Sequence, residues 1–154
     1  MIAEISTLQI ESLAFVHNGY IPSKYTCDGE NISPPLTINE LPEKTKTLAI
    51  IAEDPDAPNG TFDHWVVWNI TPKQEIPENM KKEGTEGKNG KQKNGYHAPC
   101  PPSGVHRYFF KVFALDTFIK LPEGADKKSL LDAMHGHILA GGEIMGLYIL
   151  KNKA

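Results

Sequence analysis

The apolar residues of this chain come in short runs separated by turn-forming residues, and four of the runs carry the spacing of strands. Residues 48–52, LAIIA, are uninterrupted, the pattern of a strand buried on both faces. Residues 64–70, HWVVWNI, are rich in β-branched and aromatic side chains and stop at Thr71-Pro72. Residues 107–115, RYFFKVFAL, and 143–151, EIMGLYILK, complete the strong set. Weaker strand patterns cover residues 2–10, 12–16 and 36–39.

Helical spacing is clear in one place, residues 126–140. There Leu130, Met134 and Ile138 recur every fourth position, and Leu131 and Leu139 widen the stripe. Asp126 is placed to be the N-cap, and Gly141-Gly142 to be the stop. Residues 81–94, KKEGTEGKNGKQKN, have little apolar content and read as a mobile surface loop. A basic lip is the other reading of that stretch, weakened by Glu83 and Glu86. Several strands and one late helix, cut by 12 prolines and 13 glycines, predict a mainly all-β, antiparallel sandwich decorated by a helix.

Composition narrows the functional classes. A chain of 154 residues suits a single domain over 1–154, with 40% hydrophobic and 23% charged residues. A formal charge of −3 argues against non-specific nucleic-acid binding, so an anion site must be local. No stretch reaches the length of a membrane span. The opening MIAEISTLQIES lacks a basic start and an apolar core, so it reads as fold and not as a signal peptide. A cytoplasmic location is the expectation. Two cysteines are too few for a disulfide framework, and two reduced thiols are the expected state in that compartment. A Cys27–Cys100 bridge is the alternative, and it would tie an early loop to the loop before His106.

Candidate chemistry gathers in two segments. After the buried strand come Glu53-Asp54-Pro55-Asp56-Ala57-Pro58, then Asp63-His64-Trp65. Pro55 favours an extended Asp54, which would aim Asp54 and Asp56 at one spot. The bland reading is an Asp/Pro turn whose carboxylates bond nearby backbone N–H groups. The second segment runs from Pro99 to Tyr108, PCPPSGVHRY. If a strand starts at His106, then His106, Tyr108 and Phe110 share one face and Arg107 and Phe109 the other. An imidazole beside a phenol suits an anionic or carbonyl oxygen. The bland alternative is a satisfied histidine and a core tyrosine.

These residues resemble a known family. DPDAP, the HW that follows it, and PCPPSGVHRYFF look like the two signature regions of the phosphatidylethanolamine-binding (Raf kinase inhibitor-like) proteins. YTCDGENISPPL and GHILAGGEIMGLY resemble its bacterial and archaeal branch, so the similarity runs from about Tyr25 to Tyr148. The resemblance implies an antiparallel Greek-key β-sandwich with one C-terminal helix, short helical turns and a small preformed anion pocket. By position it assigns Asp54, Asp56, Pro58 and His64 from the first region, and Pro101, His106 and Tyr108 from the second. It implies non-enzymatic binding of phosphate or a phosphoryl group without metal or cofactor. It also implies a protein partner such as a kinase, or a protease in some branches, and a homodimer. Two departures stand out: Phe62 replaces the tryptophan usual in animal members, and His97-Ala98 replaces a frequent Gly-Gly.

A carboxylate beside an imidazole favours the protonated ring. Asp54 is therefore expected to orient and charge His64 or His106, which would donate to an anion together with Tyr108. Backbone N–H groups around Asp56 or Gly104 would complete the cradle. Three rival readings remain, and one is a protein-interaction or protease-inhibitor module that acts through its surface and not its pocket. A facial metal triad would use His64, His106 and Asp54. A hydrolase would use Ser103 or Cys100, although neither lies in a Gly-x-Ser-x-Gly elbow. His135 and His137, two apart on the expected helix, cannot share a metal and read as one packing and one surface residue.

Overall fold

The computed structural model describes residues 5–151. Its elements, in chain order, are β1 (Ser6–Thr7), β2 (Ile10–Glu11), a 3₁₀ turn (Ser23–Tyr25), β3 (Leu36–Ile38), β4 (Thr47–Asp54), β5 (Phe62–Ile70), β6 (Glu75–Ile76), β7 (Thr85–Glu86), β8 (His106–Leu115), α1 (Lys127–Met134) and β9 (Ile138–Tyr148). A six-stranded sheet has the order β1-β9-β8-β4-β5-β7, and a three-stranded sheet the order β2-β3-β6. The strand-rich architecture with one late helix is as expected. The sheets are not wholly antiparallel, however, because β1 pairs parallel with β9. No helix among the described residues is long and apolar enough to cross a membrane.

The pattern LAIIA is explained by what covers β4. Leu48, Ile50 and Ala52 point into a core shared with Ile10, Leu36, Ile38 and Ile76 of the smaller sheet. Ala49 and Ile51 point the other way, onto Leu130 and Met134 of α1 and onto Trp68. A strand with apolar layers on both sides has no polar position to spare. The ends of the sheet are free to carry chemistry.

Several expectations are corrected by the structure. The helix is shorter than its periodicity. Asp126 does cap it, accepting the Ser129 N–H at 2.9 Å, but the chain leaves at Gly136, whose φ is +83°. Residues 138–140 then join β9, an eleven-residue strand in which Ala140 pairs with Ala114 and Ile138 with Leu115, and this long pairing outweighs one more helical turn. His135 and His137 are both exposed; neither is a packing residue. Gly141 and Gly142 sit inside β9. A Cβ on Gly142 would lie 2.1 Å from the Leu8 carbonyl oxygen, so the glycine is there because the N-terminal segment crosses it.

Within 2–10, the first three positions lie outside the described residues. The remainder divides between two sheets, β1 pairing at Ala140 and β2 at Ile38. Residues 12–16 form no strand, since the Ser12 hydroxyl accepts the Ala14 N–H at 3.1 Å and turns the chain. Residues 81–94 are an ordered arm. Thr85 and Glu86 pair with Trp68 and Val67, and buried Asn89 donates to the Gly95 carbonyl at 2.9 Å. Cys27 and Cys100 form a disulfide, so the expectation of two reduced thiols fails. Folding brings the two loops together, as the Cys27 N–H bond to the Pro99 carbonyl also shows.

Gly142→Ala should lose about 1–3 kcal/mol or more of stability in urea melts. Gly141→Ala, whose new Cβ meets Phe113 at an ordinary 3.5 Å, should stay close to wild type. The bridge closes a separation of 73 residues, and the chain-entropy account gives it about 4 kcal/mol. Reduction should lower the urea midpoint accordingly, and an unchanged midpoint would count against that contribution.

Candidate functional site

β8, β4 and β5 are neighbours in the sheet, and β4 ends where β5 and β8 begin. Topology therefore brings Asp54, His64, His106 and Tyr108 to one end of the sheet, around a cavity of about 350 Å³. Pro58 and Pro101 also line it, with Ala57, Asn59, Phe62, Lys91, His97, Cys100 and Pro102. That volume is at the small end for ligand pockets. Troughs of about 700 and 550 Å³ flank the N-terminal strands, but they gather no comparable set of buried polar side chains.

Asp54 closes β4 and is 3% exposed. Its Oδ2 accepts the Nδ1–H of His106 at 2.6 Å, and its Oδ1 accepts the Asp56 N–H at 2.7 Å. Both oxygens are thus used for positioning. Asp56 does not join it in the cavity. Residues 55–59 turn instead of extending, and the Asp56 carboxylate accepts the N–H, Nε–H and Nη2–H of Arg107 at 2.9, 2.9 and 2.8 Å. That bidentate guanidinium holds the Asp56 carboxyl down at about 2. Asp54 thus both closes the turn and lines the cavity, whereas Asp56 is not among the lining residues.

His64 reaches the cavity through a bulge. Ala52 pairs with Trp65, but Glu53 pairs with Asp63, so β5 carries one extra residue opposite β4. Simple alternation would put His64 with Val66 and Trp68 on the α1 side; the bulge re-aims it toward Tyr108, ring centroids 5.3 Å apart. Its Nδ1–H donates to the His97 carbonyl at 2.5 Å, while the His97 N–H donates back to the His64 carbonyl at 2.8 Å. Burial pushes the imidazole down to about 4, which the His97 hydrogen bond only partly opposes. Of the two histidines that Asp54 was expected to orient, it engages His106, while His64 is held by the His97 carbonyl and its depressed value keeps it neutral. His97 is also shifted down, by burial and then by Lys91 and Lys93.

His106, Tyr108 and Phe110 share one face, as alternation requires, and all three are buried. Tyr108 is 2% exposed, and its hydroxyl has no hydrogen-bond partner among the described residues. Burial first, then the charges of Asp54 and Asp56, push this phenol well above its ordinary value, so it stays a donor. The missed lining residues come from the arm and the mouth. Lys91 belongs to the stretch read as mobile, while Phe62 and His97 are the two departures noted in sequence, their rings 5.5 Å apart.

Cys100 is in the disulfide and offers no thiolate, which removes it as a hydrolase nucleophile. Ser103 lies exposed on an outer bend. Among the described residues no group of three His, Cys, Asp or Glu is placed to hold a metal ion. The Nδ1 atoms of His64 and His106 are already committed.

The depressed His64 value has a signed consequence. The unfolded chain takes up a proton near 6.5 and the folded chain only near 4. The stability this confers is complete above about 6.5 and is lost as pH falls toward about 4. Ring NMR of His64 should therefore show a midpoint near 4, and His64→Gln should flatten that part of the acid-stability slope. A midpoint between 6 and 7 would refute the neutral assignment.

A sequence profile described as phosphatidylethanolamine-binding protein matches residues 11–149. A UPF0098 protein of Archaeoglobus fulgidus is 52% identical over 142 residues, 88% of this chain but 49% of its own, so this chain spans about half of that relative. A UPF0098 protein of Methanothermobacter thermautotrophicus is 47% identical over 92% of this chain and 98% of its own. Among solved structures, a phosphatidylethanolamine-binding protein homolog from Chlamydia trachomatis superimposes with a TM-score of 0.90 at 40% identity, covering 95% of this chain and 99% of its own. Escherichia coli YbcL, described as a member of the mammalian PEBP family, gives 0.85 at 28% identity over 95% of this chain and 100% of its own. With a matching profile over nearly its whole length and relatives of this similarity, the chain belongs to the phosphatidylethanolamine-binding protein family.

Proposed function

We propose that the cavity binds a small oxyanion, phosphate or a small molecule bearing a phosphoryl group, without turning it over. The observation that carries this reading is the Tyr108 hydroxyl: a buried donor, beside a cavity wall of imidazoles, with no partner among the described residues. Buried polar groups are nearly always paired, so an unpaired hydroxyl on a cavity wall is ready to donate to an oxygen that enters the cavity. His106 is held in a defined orientation by Asp54, and Lys91 adds positive charge at the mouth. Pro58 and Pro101 form stiff walls, and the Cys27–Cys100 bridge anchors the loop that carries Pro101. Such a rigid site needs little reordering on binding, which favours affinity for a small ligand. Asp56 supports the site from outside by fixing Arg107 and the 55–59 turn.

Phosphate should raise the melting temperature with the logarithm of its concentration once that exceeds the dissociation constant. Tyr108→Phe should weaken phosphate binding roughly ten- to a hundredfold, the worth of one hydrogen bond to a charged group. It should leave the ligand-free melting temperature unchanged or slightly higher, because the lost hydroxyl had no partner. Undiminished phosphate affinity in this variant would sink the proposal.

A further inference from the structure

The cavity has a fixed acceptor as well as donors, and that asymmetry bears on which oxyanions fit. A carbonyl oxygen can only accept, so the close His64 Nδ1 contact with the His97 carbonyl requires the proton to be on Nδ1. With the ring neutral, Nε2 carries a bare lone pair, and it makes no hydrogen bond among the described residues. The tautomer is not free to exchange. The His97 N–H returns a bond to the His64 carbonyl, Asn89 holds the Gly95 carbonyl, and the Tyr96 hydroxyl donates to the Tyr25 carbonyl at 2.9 Å. The backbone that presents the His97 oxygen is thus tied on three sides.

The groups packed around the ring leave it in that state. Asp54 comes from β4, His106 and Tyr108 from β8, His97 from the arm side, and Lys91 from the arm itself. Asp54 is already matched with His106, and His97, His106 and Lys91 add no negative charge that would protonate His64. A fully ionised oxyanion would therefore set one of its oxygens against the unprotonated nitrogen of a ring that lines the cavity. An oxyanion with a hydroxyl would donate to it.

We propose that this site selects oxyanions carrying a proton, hydrogen phosphate and singly ionised phosphomonoesters, over sulfate and phosphodiesters, the ligand hydroxyl donating to His64 Nε2. The inference rests on the oxyanion reading of the cavity and adds the donor requirement. It also separates possible sources of a phosphoryl ligand. Inorganic phosphate keeps at least one proton through neutral pH. A phosphomonoester loses its last proton near 6. A diester, such as an intact phospholipid head group, has none to give.

The test is calorimetric titration of the oxidised full chain at constant ionic strength with sodium phosphate, sodium sulfate, dimethyl phosphate and methyl phosphate. At pH 7 phosphate should bind at least about tenfold more tightly than sulfate or dimethyl phosphate, since an unmatched buried polar group is a strong discriminator. Methyl phosphate should tighten as pH falls from 8 to 5.5. His64→Gln, whose amide both donates and accepts, should bring the phosphate-to-sulfate ratio toward one, which loss of packing alone would not do. Equal binding of phosphate and sulfate by the wild-type protein, with both saturable, overturns the donor requirement and leaves the oxyanion reading standing. Absence of binding by all four ligands overturns both.

Discussion

A carboxylate buried at the end of a strand must have its oxygens matched, and the shape of this sheet end follows from how Asp54 achieves that. One oxygen takes the Nδ1–H of His106 on the adjacent strand, and the other takes the N–H of Asp56 in its own turn. The first contact sets the orientation of an imidazole across strands; the second folds the chain sharply back toward β5. Losing either partner would leave part of a buried charge uncompensated, a costly state in a low-dielectric site. The turn in turn directs Asp56 outward to Arg107, so two acidic residues separated by one proline end up on opposite sides of the wall.

Rigidity behind this end of the sheet has several sources of different strength. The main one is apolar: β4 is sealed by a core on each face. Next to it lies a half-buried ion network in which Lys127 of α1 reaches both Glu53 and Asp63, at 2.8 and 2.7 Å, and Lys111 also contacts Glu53. Burial alone would raise the Glu53 carboxyl, yet its value is lowered because the two ammonium groups more than offset that effect. The network ties the helix to the strand that carries Asp54. Exposed pairs such as Lys128–Asp132 do little by comparison. On the opposite wall the disulfide and the paired arm hold the Pro-rich loop in place.

How far the site was readable from sequence varied with the kind of interaction involved. The His106–Tyr108–Phe110 face follows from alternation along one strand, a local rule, and it holds. The placement of His64 does not follow from alternation, because an unpaired extra residue in β5 changes the face. A bulge depends on the register of two strands and leaves no mark in either alone. His97 was visible as a departure from the usual glycines, but its role as the acceptor that sets the tautomer of His64 rests on backbone atoms, which every residue has.

The chain's own pattern determined the strand content, the face on which Leu48, Ile50 and Ala52 lie, the capping of α1 by Asp126, and the pairing of an imidazole with a phenol at the start of β8. Each of these comes from contacts between near neighbours or from burial that repeats with a fixed period. Where the helix stops, why Gly142 must be small, which carboxylate turns inward, and which histidine stays neutral were decided by tertiary structure. Those outcomes depend on what a distant segment places against the residue, whether the Leu8 carbonyl, the Arg107 guanidinium or the His97 oxygen, and no local propensity encodes a neighbour that only folding supplies.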